Sequence, residues 1–368
     1  MTCLPNLTTY LPQRVNSGPW LTAYTLFELR QRIESVQQLV LPICPLGSEY
    51  TSLAELGELV LPPLFHEAMD DELKSSLLQR IRECFPYFHT GRVAGQTSAR
   101  LDIVEVTKPA PVQTVRPRVL AFSVDTAVEE HGPHLPLSTD TIQSYSVLTR
   151  LEEEVDGFIA GPPVEYGHLT WGLPFGLSID VTPELLTRYV TGFTNAVLEW
   201  LQPDAIYVVD VHGSLVHRQS IVAGLEQSRA NRWAFRWLHE PLIEFASERG
   251  DQHAGGVETA LVEFASPELI DRRWFPDRLD EIEAGEMSLE QAVELTADLP
   301  RFIEYAESNP INGIVGKIRN YESLDAALMF DRMLTVARQD VDTLLSGQPG
   351  DVHQVAGDSP WERDKQSR

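Results

Sequence analysis

The chain has 368 residues, with 29 Lys/Arg against 54 Asp/Glu and a formal net charge of −25. That charge argues against nucleic acid and against an anionic membrane surface as partners, because both are held by clustered Lys and Arg. An apolar fraction of 43 % is that of a globular protein with a full core, and the length allows two or three domains.

The acidity is uneven. Residues 1–116 carry 10 Lys/Arg and 12 Asp/Glu, a balance of −2; residues 117–368 carry 19 and 42, a balance of −23. Cys3, Cys44 and Cys84 form no C-x-x-C pair, which fits a reducing compartment. The opening MTCLPNLTTYLPQR has no basic stretch followed by an apolar core. No apolar run reaches the roughly 20 residues that span a bilayer. The expectation is a cytoplasmic protein without a membrane partner.

In chain order, 21–33 and 70–85 have helical spacing, and 39–47 and 58–65 are strand-like. The order and content of these segments faintly echo strands further on, so the first 110 residues read either as a degenerate partial repeat or as an unrelated capping or oligomerising extension. Residues 107–118, TKPAPVQTVRPR, read as a linker. Strands are predicted at 118–124, 158–164 and 205–213, the last a fully apolar run ending in Asp210, His212 and Gly213. A helix is predicted over 182–201, capped by Thr182, with Pro183 in its first turn and Leu186, Tyr189, Val190, Phe193, Val197 and Leu201 on one face. Trp233 and Trp237, four apart, read as one helix face. A final helix follows Ser323, and 347–368 reads as a disordered tail. The predicted fold is α/β: a three-layer α/β/α unit with a mainly parallel central sheet over 111–346, plus an N-terminal α+β extension over 1–110 and the tail. Function then belongs at the carboxyl ends of the strands.

The densest chemistry lies in EEHGPHLPLSTD, residues 129–140, which gathers Glu129, Glu130, His131, His134 and Asp140. Carboxylates and imidazoles are ligands for zinc, manganese or iron where thiolates are absent. Residues i and i+2 of an extended segment face one way, so Glu129 and His131 can converge, and the turn that follows lets Asp140 come back toward them. Glu130 then points to the other side. Asp210 with His212, and His253 with Glu258, are two further clusters in the same α/β region.

These segments resemble the creatininase family of metal-dependent amidohydrolases. The family's E-x-H-G-P-H-L-P-L-x-T-D is similar to residues 129–140. Its N-G-H-G-G-N is similar to Asp210–Leu215, and its H-A-G-x-x-E-T to His253–Thr259. GIVGK (313–317) and the helix after it also resemble the family's end, so the resemblance covers about 118–346. It implies two divalent metal ions per subunit (Zn, Mn or Fe), held by Glu129, His131, Asp140 and His212, with Asp140 bridging. Ser214 stands where the family has a further glutamate ligand, and Glu258 is the residue expected to replace it. His253 is then left for proton transfer or substrate contact. Glu130 is expected to hold the water or orient a ligand imidazole. His168, Trp171 and Ser214 are expected to touch substrate, since 166–176 stands where the family lines its pocket. The family's Pro-x-Gly turn is Val124-Asp125-Thr126 here, and the pocket segment is shorter. The implied function is hydrolysis of a non-peptide C–N bond in a small-molecule amide, cyclic amide or formamide, by a homo-oligomer. The competing expectation is a metal-binding scaffold derived from such an enzyme.

Overall fold

The computed structural model describes residues 20–33, 36, 38–48, 50–88, 91–94, 100–107, 116–169, 172–309 and 311–347. Trp171, Cys3, most of the expected linker and the expected tail beyond Gly347 lie outside the described residues.

Four parallel strands form the central sheet: β4 (Val119–Ser123), β5 (Phe158–Ala160), β6 (Ala205–Asp210) and β7 (Trp233–Trp237), in the order β5-β4-β6-β7. Residues alternate between its two faces. Val119 and Ala121 of β4 join the core formed with Tyr145, Leu148, Val257, Leu261, Met333 and Val341, whereas Leu120 and Phe122 join the opposite core with Leu186, Val190 and Phe193. Helices therefore cover both faces, and the three-layer α/β/α architecture with a parallel sheet is as expected. Five helices carry the argument below: α3 (Thr139–Glu154), α4 (Pro183–Leu201), α5 (Leu215–Gln227), α6 (Gly256–Ala265) and α7 (Ala326–Ser346), after α1 (Leu26–Ile33) and α2 (Asp71–Cys84) of the N-terminal segment. Thr182 caps α4 by accepting the Leu185 N–H, and Pro183 occupies the first turn.

The Trp233–Trp237 segment corrects the expectation of a helix. It is a buried strand paired with β6 from Ile206↔Trp233 to Asp210↔Trp237. Trp233 and Phe235 join one core and Ala234 the other, which is period 2, and a spacing of four fits that period as well as it fits a helix turn.

The N-terminal segment has its own sheet, β2-β1-β3, made of β1 (Gln38–Cys44), β2 (Leu64–Phe65) and β3 (Arg100–Glu105), again all parallel. It forms a further layer over α4. Leu39, Leu41, Ile43, Leu64 and Phe65 belong to the same hydrophobic core as Phe122, Tyr189, Phe193 and Val208. The Phe65 N–H donates to the Tyr189 hydroxyl at 3.1 Å. At Gly192, in mid-helix, a Cβ would collide with the Ala68 carbonyl, so glycine here permits backbone-to-helix contact. The segment also reaches the loops of the central sheet. The Leu137 and Ser138 N–H groups donate to the carbonyls of Tyr24 and Thr22 at 3.0 and 3.1 Å, just ahead of α3.

Candidate metal centre

Every element that supplies the site ends at the same edge of the sheet. Glu129 and His131 lie in the loop after β4, Asp140 in the first turn of α3, His212 after β6, and His253 and Glu258 in the loop and first turn of α6. Gly132 holds φ = +67° in that first loop, and a Cβ there would meet Ile314 Cγ1 at 2.8 Å, so the turn between His131 and His134 requires glycine. Ala254 is left-handed at φ = +53°, next to His253, and local strain of this kind persists where surrounding structure enforces it.

The side chains converge. Asp140 Oδ1 lies 3.2 Å from His131 Nε2, and its Oδ2 lies 3.4 Å from His212 Nδ1. Glu129 Oε2 is 3.1 Å from that same His212 nitrogen. Ligand atoms of Glu129, His131 and Asp140 fall within 4.8 Å of one another, as do those of His131, His253 and Glu258. Asp140 thus presents one oxygen to each side of the cluster. Three imidazoles and three carboxylates form a donor set suited to divalent transition metals. Two buried ligand atoms, Glu129 Oε1 and His212 Nε2, have no hydrogen-bond partner, which fits a set of donors built for cations.

The electrostatics follow from this crowding. Burial alone would raise the Asp140 carboxyl, but the His131 and His212 imidazoles outweigh it and hold it well below the usual range. Burial opposes charge on His131, yet Asp140 above all, with Glu258 and Glu129, pushes it up to about 10. His212 is raised well above normal against the same burial, chiefly by Glu129 and Asp140. Without cations both imidazoles therefore carry protons at pH 7, and cations must displace them. Because the folded pKa of His131 exceeds its ordinary value of 6.5, its charge stabilises the metal-free fold below that value, and this contribution is lost as pH rises through about 10. We predict proton release on manganese or zinc binding at pH 7, with affinity rising from pH 6 to 8. Calorimetry in buffers of different ionisation enthalpy measures it, and pH-independent affinity without proton release contradicts it.

His253 is the partly exposed member. Its Nε2 lies 2.7 Å from the Glu130 carbonyl and 3.5 Å from Glu130 Oε1, and its Nδ1 lies 3.8 Å from Glu129 Oε1. Burial and His131 oppose its protonation, but Glu130 and Glu129 prevail and raise its pKa. Glu130 is fully buried, and its Oε2 accepts the Gly132 N–H at 3.0 Å.

Other expected residues fall elsewhere. The His168 ring sits 3.0 Å from Asp180 Oδ1 and 3.1 Å from the Val181 carbonyl, and is not brought to the ligand set. The Ser214 hydroxyl caps α5 by accepting the His217 N–H. Asp210 accepts the His212 N–H at 2.8 Å and so orients the strand end. His134 Nε2 lies 2.9 Å from Thr259 Oγ1, and burial drives its pKa down to about 3.

Two residues without a signal in the sequence belong to the site. The Thr126 hydroxyl touches Glu129 Oε2, Asp140 Oδ2 at 2.6 Å and His212 Nδ1 at 3.1 Å. His217 packs edge-on under His212, with ring centroids 5.2 Å apart. It donates from Nε2 to the Val124 carbonyl at 2.9 Å, and its Nδ1 accepts the His168 N–H at 3.0 Å. A ring nitrogen that accepts the His168 N–H requires a neutral ring, in line with a pKa lowered well below normal by burial and by His212. Glu258 also lines a cavity of about 50 Å³, together with Val211, Trp237, His239, Leu242 and Asp251.

A family model described as creatinine amidohydrolase (Creatininase) matches residues 112–336, which contain the whole ligand set. The chain is 29 % identical over 152 residues to a mycofactocin precursor peptide peptidase of Mycobacterium ulcerans (strain Agy99), covering 39 % of this chain and 57 % of that protein. It is 28 % identical over 158 residues to the protein of the same name from Mycobacterium tuberculosis (strain ATCC 25618 / H37Rv), covering 40 % and 59 %. The matched stretch thus spans less than two thirds of these relatives. A solved creatininase structure described with Mn overlaps 62 % of this chain and 91 % of its own, at 14 % identity and a TM-score of 0.47.

Proposed function

Since the chain belongs to the creatininase family, we propose that it is a two-metal hydrolase of an amide C–N bond, and that the ligand set around Asp140 carries that activity. In this reading Glu129, His131, Asp140, His212 and Glu258 would hold the two cations, around Asp140. Manganese, zinc and iron all suit these donors. When bound, such a pair supplies an activated water and polarises the substrate carbonyl.

The protein's own groups do the rest. His253 carries a proton at Nδ1, on the side of Glu129, and gives it to the departing nitrogen, which is a poor leaving group unless protonated. Glu130 holds the opposite face of that ring and keeps it charged. Thr126 and His217 fix the rotamers of Glu129 and His212. The observation that carries the proposal is the placement of Asp140 between His131 and His212.

The same chemistry serves a small non-peptide amide or a peptide. The expectation from the sequence is the former. The mycofactocin precursor peptide peptidases among the relatives favour the latter. A hydrolysis screen across cyclic amides, formamides and short peptides, with protein loaded with manganese, zinc or iron, separates them. Metal-dependent turnover of one class is the expected result. Stoichiometric metal without any turnover would leave the metal-binding scaffold in its place.

A further inference from the structure

Arg30 lies outside the stretch that matches the family, on the N-terminal helix α1, yet it ends at the site's loops. Thr25 and Glu28 fix the start of α1 by exchanging hydrogen bonds, each at 3.2 Å. From that helix Arg30 Nη2 donates to the Phe175 carbonyl at 2.7 Å. The Phe175 loop rests on Glu130: Ser178 Oγ accepts the Glu130 N–H at 3.0 Å, and a Cβ on Gly172 would stand 3.3 Å from Glu130 Cγ. Glu130 in turn holds His253. Arg30 is thus one loop removed from the group that moves the proton.

The loop is held rigidly by the same segment. The Leu177 N–H donates to the Phe88 carbonyl, and the positive-φ Gly91 packs against Phe175 and Gly176. Arg80 of α2 pairs with Asp180, which also receives the Leu169 N–H at 2.9 Å and the His168 ring. Arg80 is therefore spent on structure. Arg30 is not: it is exposed, and among the described residues no carboxylate lies within ion-pair distance of it. Its guanidinium is also crowded by protein, so that enclosure lowers its pKa while nearby Glu130 partly restores it. The residue thus reaches solvent while its guanidinium lies close to protein, beside the Phe175 carbonyl and near Glu130. One of its donors is used by Phe175, and the others remain for a planar, two-oxygen acceptor.

We propose that Arg30 forms a carboxylate-binding subsite at the mouth of the metal centre, supplied by the N-terminal segment, so that the substrate is an amide bearing a free carboxylate. This deepens the hydrolase reading and rests on it. With a net charge of −25 the surface repels an anionic substrate, and a fixed cation within the screening distance of about 8–10 Å offsets part of that repulsion.

The test uses the full-length, manganese-loaded protein and a panel of N-acyl dipeptides, each prepared as the free acid and as the C-terminal amide. Binding is measured by calorimetry and turnover by product analysis. For wild-type protein the acid is expected to bind about 10–100-fold more tightly than the amide. Arg30→Gln is expected to abolish that preference, and Arg30→Lys, which keeps the charge but loses the fork, to retain part of it. No acid preference in the wild type, or a preference that survives Arg30→Gln, overturns the subsite. Turnover without acid preference sinks the subsite and leaves the hydrolase. Acid preference without turnover of any member leaves the subsite and sinks the hydrolase.

Discussion

Asp140→Ala is expected to empty both halves of the metal centre and to abolish hydrolysis, an effect larger than the about 10–100-fold that follows loss of a group which only orients a ligand. The reason is geometric. Asp140 presents Oδ1 toward His131 and Oδ2 toward His212, at 3.2 and 3.4 Å, and so stands between the two halves of the cluster. The carboxylate is also the main reason that His131 holds its proton up to about 10. In metal-free Asp140→Ala, His131 should therefore titrate closer to neutrality, which an NMR titration of its ring signals reads independently of activity. Metal analysis by mass spectrometry should fall well below the wild-type stoichiometry. A variant that keeps the full metal content refutes the shared-ligand arrangement. Asp140→Asn, which keeps the shape but not the charge, separates loss of charge from loss of packing.

Arg236→Met carries the largest expected cost to stability, about 3–5 kcal/mol, the range for breaking a buried pair from one side. Arg236 of β7 grips Asp340 of α7 with two hydrogen bonds, Nε to Oδ2 at 2.8 Å and Nη2 to Oδ1 at 2.7 Å. Both residues are 7 % exposed, and the Tyr207 hydroxyl adds a third bond at 3.2 Å. Removing the guanidinium leaves a carboxylate among Tyr207 and the apolar face of α7, where its charge has little water to turn to. Urea unfolding measures the loss. The paired replacement of Arg236 by Met and Asp340 by Leu should recover most of it, because two apolar groups ask for no solvation. A loss under about 1 kcal/mol for Arg236→Met means that Asp340 finds other partners.

The chemistry was easier to read in the sequence than the walls around it. Glu129, His131 and Asp140 stand out because, where thiolates are absent, His and carboxylates are the candidate metal ligands, and here they crowd into twelve residues. The apolar run of β6 and the capped, one-faced α4 follow from local rules, and the structure contains both. The strand at Trp233–Trp237 was hidden by a spacing common to both periods. Thr126 was invisible for another reason: a lone threonine, here between Asp125 and Ala127, carries no signal, and only the fold sets its hydroxyl among Glu129, Asp140 and His212. His168 has the residue type of a pocket group, but Asp180 claims its ring. Arg30 lies about a hundred residues from the first ligand, so its approach to the Phe175 loop depends wholly on how the N-terminal layer docks.

That docking also sets an order of events during synthesis. The apolar side of the N-terminal sheet is closed by α4, through Phe65 on Phe193 and the backbone contact that Gly192 permits. A ribosome adds roughly 5–20 residues per second, so the sheet waits on the order of ten seconds after Glu105 completes β3 before α4 is complete. Over that interval three parallel strands stand with an open face and unpaired edges, the arrangement most exposed to wrong partners. Chains stalled or cut ahead of Pro183 should therefore aggregate although every strand of that sheet is present, and chains extended past Leu201 should not.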